Sequence, residues 1–134
     1  MIIDTSAVIA VLKEESDAPR FLRVLTLSAE PKRMSAANYL EAAIVVDANR
    51  NPLLSRRLDD LIVQTEILAE PVTLEQTRIA RAAYRDFGKG SGHKARLNFG
   101  DCFAYALARV TGEPLLYKGG GFAHTDVASA LAAR

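Results

Sequence analysis

The chain has 134 residues, with 17 Lys plus Arg against 16 Asp plus Glu for a formal charge of +1, 49% hydrophobic and 25% charged. That describes one globular domain of ordinary composition, able to bury roughly two thirds of its unfolded surface without a structural metal or disulfide. A single cysteine excludes an internal bridge, and no Cys/His cluster has zinc spacing, which favours a reducing compartment.

Met1-Ile2-Ile3-Asp4 puts a carboxylate where an export signal needs basic residues, and Lys13-Glu14-Glu15 closes the longest early apolar run. That run falls well short of the roughly 18 apolar residues of a membrane span, so a cytosolic protein is expected. Ile2-Ile3 reads as a short buried strand, Asp4-Thr5-Ser6 as a polar cap, and Ala7 to Leu12 as a helix. A second helix follows Asp17-Ala18-Pro19, with Asp17 able to cap it and Phe21, Leu22, Val24 and Leu25 at helical spacing. Met34-Ser35 ends a second strand, and a helix over 36–49 carries Glu41. After Asn51-Pro52 an amphipathic helix runs from Leu53 to about Ile67, its apolar stripe open to burial or to a partner. Ile67-Leu68 forms a third strand, and Thr73-x-x-Gln76 opens a helix to about Asp86 as a capping box. Gly88, Gly90 and Gly92, among three basic residues, predict a loose cationic loop that ends at Asn98. A helix follows from Phe99 to about Val110, then a strand at Leu115-Leu116-Tyr117 and a glycine turn at 119–121.

Strands alternating with helices predict an α/β fold with a mostly parallel sheet, in which ligands bind beyond the strands' carboxyl ends, where Asp4 falls. Glu41 lies on a mainly apolar helix face, so it needs a cation, a hydrogen-bond network or a proton. Asp101 has two readings. With Asn98 it forms a capping box, yet the uncharged run Cys102 to Ala108 implies a helix surrounded by protein, and the interior pocket is preferred. Asp4 beside Thr5-Ser6 is likewise open to a capping role.

Taken together, Ile3-Asp4-Thr5-Ser6, Tyr39-Leu40-Glu41, Leu97-Asn98-Phe99-Gly100-Asp101-Cys102 and Leu115-Leu116-Tyr117-Lys118-Gly119 stand in an order that resembles PIN-domain proteins. The likeness is specifically to VapC-like toxins of type II toxin–antitoxin (VapBC) pairs, and it spans nearly the whole chain. It implies one PIN domain over residues 1–134, a three-layer sandwich with a short, mostly parallel sheet of four or five strands flanked by helices. It also implies a metal-dependent endoribonuclease acting on RNA such as tRNA or rRNA, leaving 5′-phosphate and 3′-hydroxyl ends. By the same likeness Asp4, Glu41 and Asp101 are its catalytic, metal-binding trio, and the partners are a VapB-like antitoxin and a second copy in a homodimer; the lack of a long apolar run predicts no membrane partner. The chain departs from the pattern at Gly120-Gly121, where the family often carries an acid; Asp126 is the nearest remaining carboxylate and is assigned an outer or second metal position.

All-oxygen ligands suit Mg²⁺ or Mn²⁺, which can activate water and neutralise a scissile phosphate. Lys89, Lys94, Arg96 and Lys118 are the candidates for flanking RNA phosphates. Cys102 reads as a small core residue, since no base adjoins it. Two rivals remain at this stage: a noncatalytic RNA- or partner-binding domain of the same fold, and an acid-pocket Mg²⁺ phosphotransfer enzyme, although Asp4-Thr5-Ser6 lacks an Asp-x-Asp arrangement.

Overall fold

The computed structural model describes residues 1–131. Its elements are β1 (Ile2–Ile3), α1 (Thr5–Leu12), α2 (Ala18–Leu27), β2 (Lys32–Ser35), α3 (Ala36–Asp47), α4 (Pro52–Gln64), β3 (Ile67–Glu70), α5 (Leu74–Phe87), α6 (Phe99–Thr111) and β4 (Leu115–Leu116), with a 3₁₀ turn over Phe122–His124. The strands form a four-stranded sheet in the order β3-β2-β1-β4, every pair parallel. An α/β fold with a short parallel sheet is what the alternation of strand and helix signals predicts.

Side-chain alternation along the strands explains the layers. Ile3 and Leu116 face a core built with α1 to α4, including Val8, Leu25, Met34, Val46 and Leu61. Ile2 and Leu115 face the other way, onto Leu97, Ala104 and Leu107 and the alanine stripe of α5. Both strands are covered on both sides, which is why they read as unbroken apolar pairs. The chain leaves β1 toward β2 on one side, while β4 lies on the other, so the order of strands reverses at β1. A crevice opens beyond the strand ends at such a point.

Two local expectations are corrected and one left open is decided. The 88–98 segment is folded back rather than loose: the Lys89 amide donates to the Leu97 carbonyl at 2.9 Å, and the Leu97 amide to the Phe87 carbonyl at 2.9 Å. Ala95 and Leu97 are buried, and His93 stacks edge-on against Phe87 while its Nδ1 accepts from the Ala95 amide. Two apolar anchors thus outweigh three glycines. The α5 capping box is half formed, because the Thr73 hydroxyl accepts from the Gln76 amide while the Gln76 side chain turns to the Pro71 carbonyl. The α4 stripe is spent inside the molecule, with Leu58 and Leu61 buried and Leu54 and Ile62 packed against the same core. Among the described residues no helix is long and apolar enough to cross a membrane.

Candidate active site

Asp4 follows β1 directly and remains tied to its neighbour, its amide donating to the Leu116 carbonyl at 2.9 Å. It is the N-cap of α1: Oδ2 accepts from the Ser6 amide at 3.0 Å and from the Ser6 hydroxyl at 2.6 Å. With 3% of its surface exposed, the carboxyl is pushed up from 3.8 to about 6. Burial is the main cause; the Ser6 bonds oppose it, and the Asp101 and Glu41 charges add to it. The Ser6 oxygen accepts in turn from the Lys118 amide at 2.9 Å, which fixes the chain leaving β4 beside Asp4. The next residue, Gly119, has φ +102°, a conformation that favours glycine, and there the backbone turns away.

Glu41 is half-buried on α3 and reaches between α1 and α6. Its Oε1 accepts from the Thr5 hydroxyl at 2.6 Å and from Asn38 Nδ2 at 3.3 Å. The hydrogen-bond network required of an acid on an apolar face is therefore present. On the far side the carboxylate lies against Gly100 so closely that a Cβ at that position would overlap it. Asn38, fully buried, also donates Nδ2 to the Gly100 carbonyl at 2.9 Å, whereas its own Oδ1 has no partner among the described residues. Leaving such an acceptor unsatisfied costs about 1–3 kcal/mol.

Asp101 forms the cap that the sequence offered as one of its two readings. Its Oδ2 accepts from the Asn98 amide at 2.9 Å while Asn98 Oδ1 accepts from the Asp101 amide at 2.8 Å, a complete capping box at the start of α6. The same carboxyl is raised above the usual range, chiefly by burial and further by Glu41, against the lowering effects of the Asn98 bond and of Lys89. One oxygen is spent on the cap; the other takes no hydrogen bond from a described residue. Cys102 behind it is buried, its thiol pushed up to about 11 by burial and by Asp101, which suits a core residue and not a nucleophile.

One other acid and one cation are placed differently from expectation. Asp126 is not brought to the trio: Oδ1 accepts from the Tyr105 hydroxyl at 2.7 Å and Oδ2 pairs with Arg109 at 3.1 Å. Tyr105 and Arg109 stand four and eight residues beyond Asp101, or roughly 6 and 12 Å along α6. Lys118 is not a free phosphate-binding cation, because its Nζ bridges Glu15 at 2.8 Å and Asp17 at 3.1 Å. Asp17, though it precedes α2, makes no side-chain cap. Lys89, Lys94 and Arg96 are exposed on the folded-back segment that leads into α6, and Lys89 acts on Asp101. Sequence reasoning missed Asn38 and the close packing of Gly100; a polar residue one turn before Glu41 on an apolar face was the available signal for Asn38.

Asp4, Glu41 and Asp101 thus come from three separate segments to the carboxyl edge of the sheet, where the Glu41 and Asp101 charges raise the Asp4 carboxyl and the Glu41 charge raises that of Asp101. None forms an ion pair with a described cation. Among the described residues no three His, Cys, Asp or Glu side chains stand in ready-made coordinating geometry; Glu41 Oε1 is engaged by Thr5 and Asn38, while Oε2 takes no hydrogen bond from a described residue. The donor set nevertheless fits a hard divalent cation: carboxylate oxygens without thiol or imidazole, one oxygen each of Asp4 and Asp101 left without a hydrogen bond, and acids that repel one another.

The profile of the PIN domain family matches residues 1–128. The chain is 56% identical over 131 residues to Ribonuclease VapC28 of Mycobacterium tuberculosis, covering 98% of both chains. It is 48% identical over 127 residues to Ribonuclease VapC42 of the same organism, covering 95% of this chain and 96% of the relative. In fold it is similar to the crystal structure of Mycobacterium tuberculosis VapC20, described as a Sarcin-Ricin loop cleaving toxin, with a TM-score of 0.75 over 96% of this chain and 97% of that one at 15% identity.

Proposed function

Because the chain belongs to the PIN domain family, we propose that it is a metal-dependent endoribonuclease acting as the toxin of a type II toxin–antitoxin pair. The observation that carries this reading is the meeting of Asp4, Glu41 and Asp101 at the strand-order reversal with none of them ion-paired to a described cation. Two near full-length relatives named ribonucleases support the reaction class.

In this reading Asp4, Glu41 and Asp101 hold Mg²⁺ or Mn²⁺. When bound, such an ion supplies charge neutralisation on a scissile phosphate and lowers the pKa of a water at neutral pH. The protein's own groups supply the rest. Ser6 occupies Oδ2 of Asp4 and so keeps the carboxylate plane fixed, with the other oxygen left without a hydrogen bond from a described residue. Thr5 lies within reach of both Glu41 and the Asn38 carbonyl, at 2.6 and 3.1 Å, and has one hydroxyl proton to give. If Glu41 turns toward a cation, that proton therefore has a second acceptor. The Asn98 cap fixes Asp101 at the first turn of α6. Lys89, Lys94 and Arg96 attract the phosphates on either side, and structured RNA such as tRNA or rRNA is the proposed substrate class. Asp126 and Lys118 stay with their own partners and serve as clasps of the C-terminal segment.

The reading includes one domain over 1–134, a cytoplasmic location, a VapB-like antitoxin that covers the pocket, and a homodimer. Exposed Leu40 and Ile44 on α3 and Phe99 at the start of α6 offer apolar surface for such contacts, which the buried stripe of α4 does not. The test is to express the protein and its Asp4→Asn variant in cells and map RNA ends. New ends bearing 5′-phosphates are expected with the unsubstituted protein alone; identical end profiles from both would overturn the reading.

A further inference from the structure

We propose that Asn38 is a positioning residue of the acid site, setting Glu41 against the first turn of α6 so that the Glu41 and Asp101 carboxylates can act on one cation. The proposal rests on the metal-site reading given above. Asn38 lies one turn before Glu41 on α3, a separation that places the two side chains on the same face. Its Nδ2 bridges two acceptors from different segments, Glu41 Oε1 at 3.3 Å and the Gly100 carbonyl at 2.9 Å. Neither acceptor carries a proton to give when Glu41 is ionised, so the amide can only be oriented with nitrogen toward them. Both amide protons are then committed, and Oδ1 is left buried and unpartnered among the described residues.

A residue needed only to fill space between α3 and α6 would be apolar, since an apolar side chain leaves no orphaned acceptor. What the amide adds is a specific link: the carbonyl it holds belongs to Gly100, next to Asp101, and the carboxylate it holds is Glu41. Gly100 has no side chain to keep the two apart, and a Cβ there would collide with Glu41. Asn38 therefore measures the spacing of the two acids from within the core, acting through Glu41 and not on substrate.

The experiment is a double-mutant cycle on Mn²⁺ binding, read from the spin-resonance signal of free Mn²⁺ at pH 7.5, with Asn38→Ala, Glu41→Gln and the pair. Loss of a partner that orients a metal ligand lowers affinity by about 10-fold or more. Asn38→Ala is expected to weaken Mn²⁺ binding by about that factor in the parent and by less than about twofold in Glu41→Gln, because the effect passes through Glu41. Melting curves confirm folding, and Asn38→Ser, whose hydroxyl serves one of the two acceptors, carries the same cycle should the alanine variant be unfolded at assay temperature. Parent affinity in a folded Asn38 variant, or losses that multiply in the double variant, overturns the role assigned to Asn38 while leaving the metal site intact. Absence of Mn²⁺ binding by the unsubstituted protein overturns the site reading and this inference with it.

Discussion

Replacing Asp4 by Asn should make the metal-free protein more stable at neutral pH, although it removes an acid at the centre of the candidate site. The Asp4 carboxyl sits at about 6 in the fold against an ordinary 3.8, so between those values the native state keeps a proton that the unfolded chain has released. Stability then falls as pH rises through that window and the cost is complete above it; below it both states are protonated and the cost vanishes. At about 1.4 kcal/mol per unit the full effect approaches roughly 3 kcal/mol. Asn is as good an N-cap as Asp, and its Oδ1 can take over the acceptor position facing the Ser6 amide and hydroxyl. A gain of about 1–3 kcal/mol above pH 6.5 is therefore expected, or roughly 3–10 °C in Tm for a domain of this size. Urea unfolding of both proteins in EDTA, from pH 4 to pH 8, measures it. The two should be nearly equal at pH 4 and separate as pH rises. A variant less stable at pH 7.5, or a difference independent of pH, would refute the claim that burial and the neighbouring acids strain this carboxylate.

Gly100→Ala should push the flexible Glu41 carboxylate aside at little cost in stability and weaken Mn²⁺ binding about tenfold, because the new methyl meets that carboxylate; Mn²⁺ affinity matching the parent would show that the site accommodates it. Millimolar Mn²⁺ at about 100 times its Kd should raise parent stability by about 2.7 kcal/mol, visible in thermal melts, and should have little effect on Asp4→Asn. Lys94→Ala with Arg96→Ala should weaken RNA binding and lower the slope of its salt dependence by about two, whereas Lys118→Ala, whose ammonium is held by Glu15 and Asp17, should leave that slope unchanged. Tyr105→Phe should cost about 1 kcal/mol of stability by removing its hydrogen bond to Asp126, which Arg109 still holds, with Mn²⁺ affinity unchanged.

The order of elements was legible because each has a local cause: paired isoleucines for β1, Asn51-Pro52 and Asn98 as helix starts, Gly112 with φ +71° at the end of α6. Glu41 was legible for a different reason, since a carboxylate on an apolar face announces that something must satisfy it, whereas the grouping of Asp4, Glu41 and Asp101 came from the family resemblance. What satisfies Glu41 was harder to read. Thr5 is 36 residues from Glu41 and Gly100 is 62 from Asn38, so those contacts exist only once α1, α3 and α6 have converged. The same limit explains the misplacement of Lys118, whose partners lie more than 100 positions earlier. It explains Asp126 as well, because nothing beside it in the chain signals Tyr105 or Arg109. Local composition also overstated the freedom of the 88–98 segment, where glycines are visible in sequence but the burial of Ala95 and Leu97 is a tertiary event.

The most direct measurement is an anomalous difference map from crystals of the unsubstituted protein soaked in Mn²⁺ and compared with a metal-free crystal. A manganese peak bounded by Asp4, Glu41 and Asp101, with Glu41 Oε1 released from Thr5, is the expected result. Crystals saturated with Mn²⁺ that show no peak there, or a peak ligated by other residues with the three carboxylates unmoved, would contradict the claim that these acids share one cation.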